Sequence, residues 1–166
     1  LKETIAFAHR MGVRLFFDLP FFQNDQGALA IHHPDYFEWE NGKVRNPVYD
    51  KLGGRDKQTW HGQGYWDYDR VRQFGYEPIL RIFRYWLDLG FDGFRWDAAH
   101  MSAPEIRRAV NEKIYRGRDI LPITEQLGGT DDDAHDLARN GFLLYRSIEY
   151  PAKGGLGGRS EEHTSE

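Results

Sequence analysis

The chain has 166 residues, of which 40% are hydrophobic, 15% aromatic and 29% charged, with a net charge of −4. That is material for one globular domain, and mild acidity without a basic block argues against a nucleic-acid surface. With no cysteine a disulfide framework and thiolate metal sites are excluded, and no apolar run reaches the roughly 18 residues of a membrane span.

In chain order, residues 1–11 place Ile5, Ala6, Ala8 and Met11 close to helical spacing, with Gly12 as a stop. "VRLFFDLP" (Val13 to Pro20) is an apolar run of strand length that ends in a charge and a proline. Residues 21–75 hold no sustained period and are rich in Gly, Asn, Asp, His and aromatics. A stretch of that length inside a compact domain points to a functional loop excursion, with a little strand structure. "EPILRIFRYWLDLG" (Glu77 to Gly90) is a helix, with Pro78 in its first turn and Gly90 at its end. "FDGFRWDAA" is the next strand. Ser102 to Gly117 is predicted as a helix capped by Ser102. Asp119 to Gln126 is a short apolar strand, residues 130–141 a helix with an acidic start, and Phe142 to Tyr150 a fourth strand. Strands alternating with helices give an α/β fold with a parallel sheet. Neither G-x-G-x-x-G after a strand nor a phosphate-cradling loop is present, so nucleotide binding loses support.

Three of these strands end in acids: Asp18, Asp97 and Glu125. In a parallel barrel the C-terminal strand ends open onto one face, where residues distant in sequence meet. Two facing carboxylates suit glycoside chemistry. One attacks the anomeric carbon, the other protonates the leaving oxygen, and a separation of about 5–5.5 Å gives the retaining route. Arg95 lies two residues before Asp97 and so on the same strand face; there it would keep the attacking group ionised. The other reading is an ion pair that fixes a barrel layer, and periodicity alone does not choose between them. The aromatic clusters "PDYFEWE" and "WHGQGYWDYD" read either as core or as platforms for sugar rings.

"GFRWDAAH" (Gly93 to His100) resembles the fourth-strand motif G-F-R-x-D-A of the α-amylase superfamily of glycoside hydrolases and transglycosylases (family 13). "ILPITEQ" is similar to that family's fifth-strand motif and "GVRLFFDLP" to its third. The resemblance implies a partial (β/α)8 TIM barrel over residues 1–158, covering about strands 3 to 6, with residues 21–75 as the excursion after strand 3. It further implies a retaining hydrolase or transglycosylase acting on an α-glucan or malto-oligosaccharide, without a cofactor. Asp97 would be the nucleophile, Glu125 the general acid and base, Arg95 the partner of Asp97, and Asp18 a sugar-side residue.

The sequence also departs from that pattern. In "DLPFFQND", Phe22 and Gln23 stand where the family places Asn and His. In the family that Asn often serves calcium and that His touches the sugar, so no metal site is expected and contacts near Asp18 must differ. "ALAIHHPDYFEW" is similar to a segment of members that use maltosyl donors, which puts Gln23, His33 and Tyr36 on the substrate side. His100 would line the acceptor site or be a loop histidine. The seventh-strand H-D motif, source of a third carboxylate, is not within these residues, so the chain alone is expected to be inactive. The competing class is a non-catalytic amylase-like barrel that binds glucans or serves a transporter; both carboxylates survive here, which weighs against it. "RSEEHTSE" (residues 159–166) resembles the translation of a sequencing-library adapter and is expected to be a non-native tail.

Overall fold

The computed structural model describes residues 1–51, 56–126 and 131–145. The expected tail at 159–166 and the second half of the expected strand Phe142 to Tyr150 lie outside the described residues.

Helix α1 (Lys2–Arg10) leads into strand β1 (Phe16–Pro20). The excursion then holds β2 (Gln23–Asn24), α2 (Ala28–His32), a 3-10 turn at Pro34–Tyr36, β3 (Trp39–Glu40), β4 (Lys43–Val44), β5 (Val48–Lys51), β6 (Asp56–Thr59), β7 (Gln63–Gly64) and α3 (Tyr68–Gln73). The alternation of helix and strand resumes with α4 (Glu77–Leu89), β8 (Gly93–Asp97), α5 (Pro104–Val110), β9 (Leu121–Glu125), α6 (Asp131–Arg139) and β10 (Leu143–Tyr145).

The alternating elements build one parallel sheet in the order β1-β8-β9-β10. Each strand is a short apolar run between Gly, Pro or charged residues, as a strand buried between layers requires. Helix α4 closes on Gly90, whose φ of 112° is a left-handed conformation that suits glycine. Its Phe83 meets Phe94 and Trp96 edge to face at 5.2 and 5.3 Å. Trp96 and Phe94 are fully buried on that side, so truncating either to Ala would cost about 3–5 kcal/mol. Alternation then turns Arg95 and Asp97 to the opposite face. Gly93 is demanded by packing: a Cβ there would sit 2.6 Å from the Phe16 ring and 3.2 Å from the Leu121 carbonyl.

Two expectations are corrected. Ser102 does not cap the following helix. Its Oγ donates to the Ala99 carbonyl at 2.6 Å, and α5 starts at Pro104 and passes into a π-helical turn at Asn111–Tyr115. The excursion is also far more ordered than its lack of period implied. Three two-stranded antiparallel pairs, β2 with β7, β3 with β4 and β5 with β6, are joined by an aromatic core. Phe37 stacks on Trp66 at 5.0 Å and Phe22 on Tyr65 at 5.5 Å, and the Trp66 indole donates to the Phe21 carbonyl at 2.9 Å. Strands of two to four residues are too short to show alternation, and aromatic contacts between distant residues carry no period at all.

Candidate active site

Parallel pairing sets Asp18 beside Arg95 and Pro20 beside Asp97, and Trp96 beside Thr124, one residue before Glu125. All three strands thus end at the same edge of the sheet, with their acids gathered there. The Arg95 guanidinium lies among them. Its Nη1 donates to Asp18 Oδ1 at 2.7 Å and to Asp97 Oδ1 at 2.6 Å, and its Nη2 donates to Glu125 Oε1. Sequence spacing accounted for the Asp97 contact; the structure adds the other two carboxylates to the same cation. Together they hold the guanidinium charged, its pKa raised although burial opposes this.

The three acids differ in exposure. The Glu125 side chain is 5% exposed, Asp97 31% and Asp18 70%. Burial, a hydrogen bond with Asp97 and the Asp97 charge push the Glu125 carboxyl up to about 7, while Arg95 and the Ala98 N–H pull the other way. That N–H points at Glu125 Oε2 at 3.4 Å. It does so because Ala98 adopts a left-handed conformation, φ 50°, at a cost of order 1–3 kcal/mol for a residue with a Cβ. Strain at the residue after Asp97 thus turns the backbone toward its facing acid.

A cleft of about 360 Å³ opens above the pair, floored by Asp97 and Glu125 and walled by Gln58 to His61 and Gln63 from the excursion. Its size falls in the range of small-molecule sites, about 300–1,000 Å³. His100 is buried, and burial lowers its pKa although a backbone hydrogen bond at Glu125 opposes this. It lies against the Glu125 backbone. Gln23, His33 and Tyr36 line a separate groove of about 680 Å³ against α4. There His33 stacks on Tyr36 at 4.8 Å, and Gln23 Nε2 donates back to the Pro20 carbonyl at 2.9 Å. The structure therefore brings Asp18, Arg95, Asp97 and Glu125 together and places the three excursion candidates elsewhere.

Sequence reading missed Arg107. It is 1% exposed and donates to the His100 carbonyl at 2.6 Å, Ser102 Oγ at 3.3 Å, and Asp133 Oδ1 and Asp136 Oδ2 at 3.0 Å each. It ties the loop after β8 to α6. The acidic start of α6 was visible, but its partner was hidden in a helix rich in arginine.

The fold and the gathered acids define the class: the chain resembles the catalytic domain of the α-amylase superfamily in its motifs and in its α/β architecture. No family model matches the chain. It is 29% identical to the 4-alpha-glucanotransferase of Thermotoga maritima over 74% of its length and 32% of that protein's. It is 25% identical to the trehalose synthase/amylase TreS of Mycolicibacterium smegmatis over 72% of its length and 27% of that protein's. Among solved structures, the amylomaltase of Streptococcus agalactiae in complex with acarbose superposes with a TM-score of 0.73 at 18% identity, covering 93% of this chain and 36% of that one. The chain thus spans about a third of the length of the proteins it matches.

Proposed function

We propose that this chain is part of the catalytic barrel of a retaining α-glucan hydrolase or transglycosylase, with β1, β8, β9 and β10 standing as barrel strands 3 to 6. Asp97 attacks the anomeric carbon while Glu125 gives its proton to the glycosidic oxygen; the C–O bond breaks and a glycosyl ester on Asp97 forms. Glu125, now a carboxylate, takes a proton from water or from an acceptor sugar hydroxyl, whose oxygen displaces Asp97. Two inversions give net retention. Arg95 donates to the attacking carboxylate and to Glu125 and so fixes both acids in one frame. Asp18, exposed at the rim, meets sugar hydroxyls. His100, against the Glu125 backbone, orders the acceptor side. Gln23, His33 and Tyr36 contact saccharide in the second groove rather than at the cleaved bond. No cofactor enters these steps.

One observation carries this reading: two carboxylates on two nitrogens of a single guanidinium, the more buried one pushed up to about 7. Acids held so close match the retaining separation of about 5–5.5 Å better than the roughly 6.5–9.5 Å of inverting enzymes. Proximity of the acid pair, burial of the proton donor and exposure of the nucleophile to the cleft all agree. The relatives are named for α-glucan transfer and for trehalose synthesis, which supports the substrate class.

The test uses the intact protein. Asp97→Asn and Glu125→Gln should each lower turnover of malto-oligosaccharides by at least about 10³-fold, toward the upper range for a general acid or base. Proton NMR of the first product should show the α-anomer. Undiminished turnover in Asp97→Asn, or a β-anomer, would refute the assignment.

A further inference from the structure

The end of β1 adds no residue to the lining of the cleft above Asp97 and Glu125. Phe21 and Phe22 are each 3% exposed, and Gln23 is bonded back to Pro20. A saccharide lying over Asp97 and Glu125 must therefore find its other contacts elsewhere. They come from the far end of the excursion, where β6 ends at Thr59 and β7 begins at Gln63. Between them Trp60 and His61 reach the same cleft as the two carboxylates. The corner is held in place. The Trp60 N–H donates to the Pro47 carbonyl at 2.9 Å, its ring meets the buried Phe22 edge to face at 6.2 Å, and Asn46 Nδ2 donates to the Gln63 carbonyl at 2.6 Å and to Asp25. His61 is exposed, and among the described residues no hydrogen bond is assigned to its ring.

Resting on the function proposed above, we infer that His61 is a substrate-contacting specificity residue, and that Trp60 is the wall against which the sugar at the cleavage point packs. The chemistry fits a hydroxyl-rich ring. An indole gives a flat apolar surface to C–H groups, and an imidazole donates or accepts at a hydroxyl. The side-chain amides of Gln58 and Gln63 add directional partners to the same wall. The arrangement also separates the two tasks of the site: the parallel sheet supplies the reacting acids, and the excursion supplies recognition.

The experiment compares variants of the intact protein on malto-oligosaccharides, together with titration of the same sugars into the Glu125→Gln background. His61→Ala should lower kcat/KM by about tenfold, chiefly through KM, and weaken sugar binding by a similar factor; His61→Asn should recover most of both. Trp60→Phe should keep near-normal binding, and Trp60→Ala should lose at least tenfold. If His61→Ala leaves kcat/KM and sugar affinity unchanged in a protein that turns over α-glucans, this inference is overturned and the proposed function stands. If the unaltered protein neither binds nor turns over any α-glucan, both fall.

Discussion

Removing the Arg95 cation tests whether it serves catalysis or only architecture. Arg95→Ala leaves Asp18, Asp97 and Glu125 without the group that all three share. A hydrogen bond to a charged partner contributes about 1.5–3 kcal/mol. The Asp18 contact is largely exposed and contributes little, so Asp97 and Glu125 carry the effect. If the site loses roughly 3 kcal/mol of transition-state stabilisation, kcat/KM falls by about 10²-fold. The pH profile is the sharper readout. In the proposed function Glu125 must be protonated to act as the acid, so activity should be present below its pKa and lost as pH rises through about 7. Arg95 is one of the two groups that pull that pKa down. Without it the basic limb moves to higher pH, even as the peak rate drops. Arg95→Lys keeps the charge, but one ammonium cannot span both acids, so it should show a smaller displacement and an intermediate rate. The assay is kcat/KM on a malto-oligosaccharide from pH 4 to 9, with a thermal melt to show that each variant is folded. A folded Arg95→Ala protein whose basic limb stays in place and whose kcat/KM is within about threefold of the parent would refute the reasoning and leave a purely structural ion pair.

Other outcomes follow from the same geometry. Glu125→Gln should stabilise the fold in a pH-dependent way. Below about 4.5 the carboxyl is protonated both folded and unfolded, so the variant differs little; between 4.5 and 7 only the unfolded chain ionises it, and the parent loses stability that the variant keeps. Melting temperatures of the two proteins should therefore diverge as pH rises and level off above 7; parallel curves would contradict this. Arg107→Met removes the guanidinium that bonds Asp133, Asp136 and the His100 carbonyl, so chemical denaturation should show a loss of about 3–5 kcal/mol. Gly93→Ala drives a methyl group into Phe16 and toward the Leu121 carbonyl; a destabilisation of about 1–3 kcal/mol is expected by the same measurement, and a neutral result would mean that the Phe16 ring swings aside freely.

What could be read from the sequence, and what could not, divides along one physical line. Helix α4 and strands β1, β8 and β9 are local events. An apolar period, a proline at the start and a glycine at the end specify α4 within its own residues. Three acids at three strand ends were visible as a pattern, and parallel pairing brings them together. The excursion obeys no such local rule. Phe37 finds Trp66 and Phe21 finds Trp96 across tens of residues, and nothing in the short strands between them announces the partner. Gln23, His33 and Tyr36 were grouped by sequence similarity, and they do lie together; what similarity could not supply was the direction in which their loop faces. Arg107 was unreadable for a related reason, since a buried cation looks like any surface arginine until the carbonyl and carboxylates around it are known.

The placement of strain follows from this division. Ala98 takes a left-handed backbone directly after Asp97. A glycine there would adopt φ 50° without steric cost but would widen the choice of conformations in the unfolded chain and at the site. An alanine held left-handed persists only where its surroundings fix it. Here Ala98 is fully buried, its N–H faces Glu125, and the Met101 carbonyl just beyond it accepts from the Tyr68 hydroxyl at 3.0 Å. Tyr68 belongs to α3, the last element of the excursion. The excursion therefore supports the turn that aims a backbone donor at the proposed proton donor, in addition to walling the cleft. In this chain the excursion and the sheet both line the cleft that holds Asp97 and Glu125.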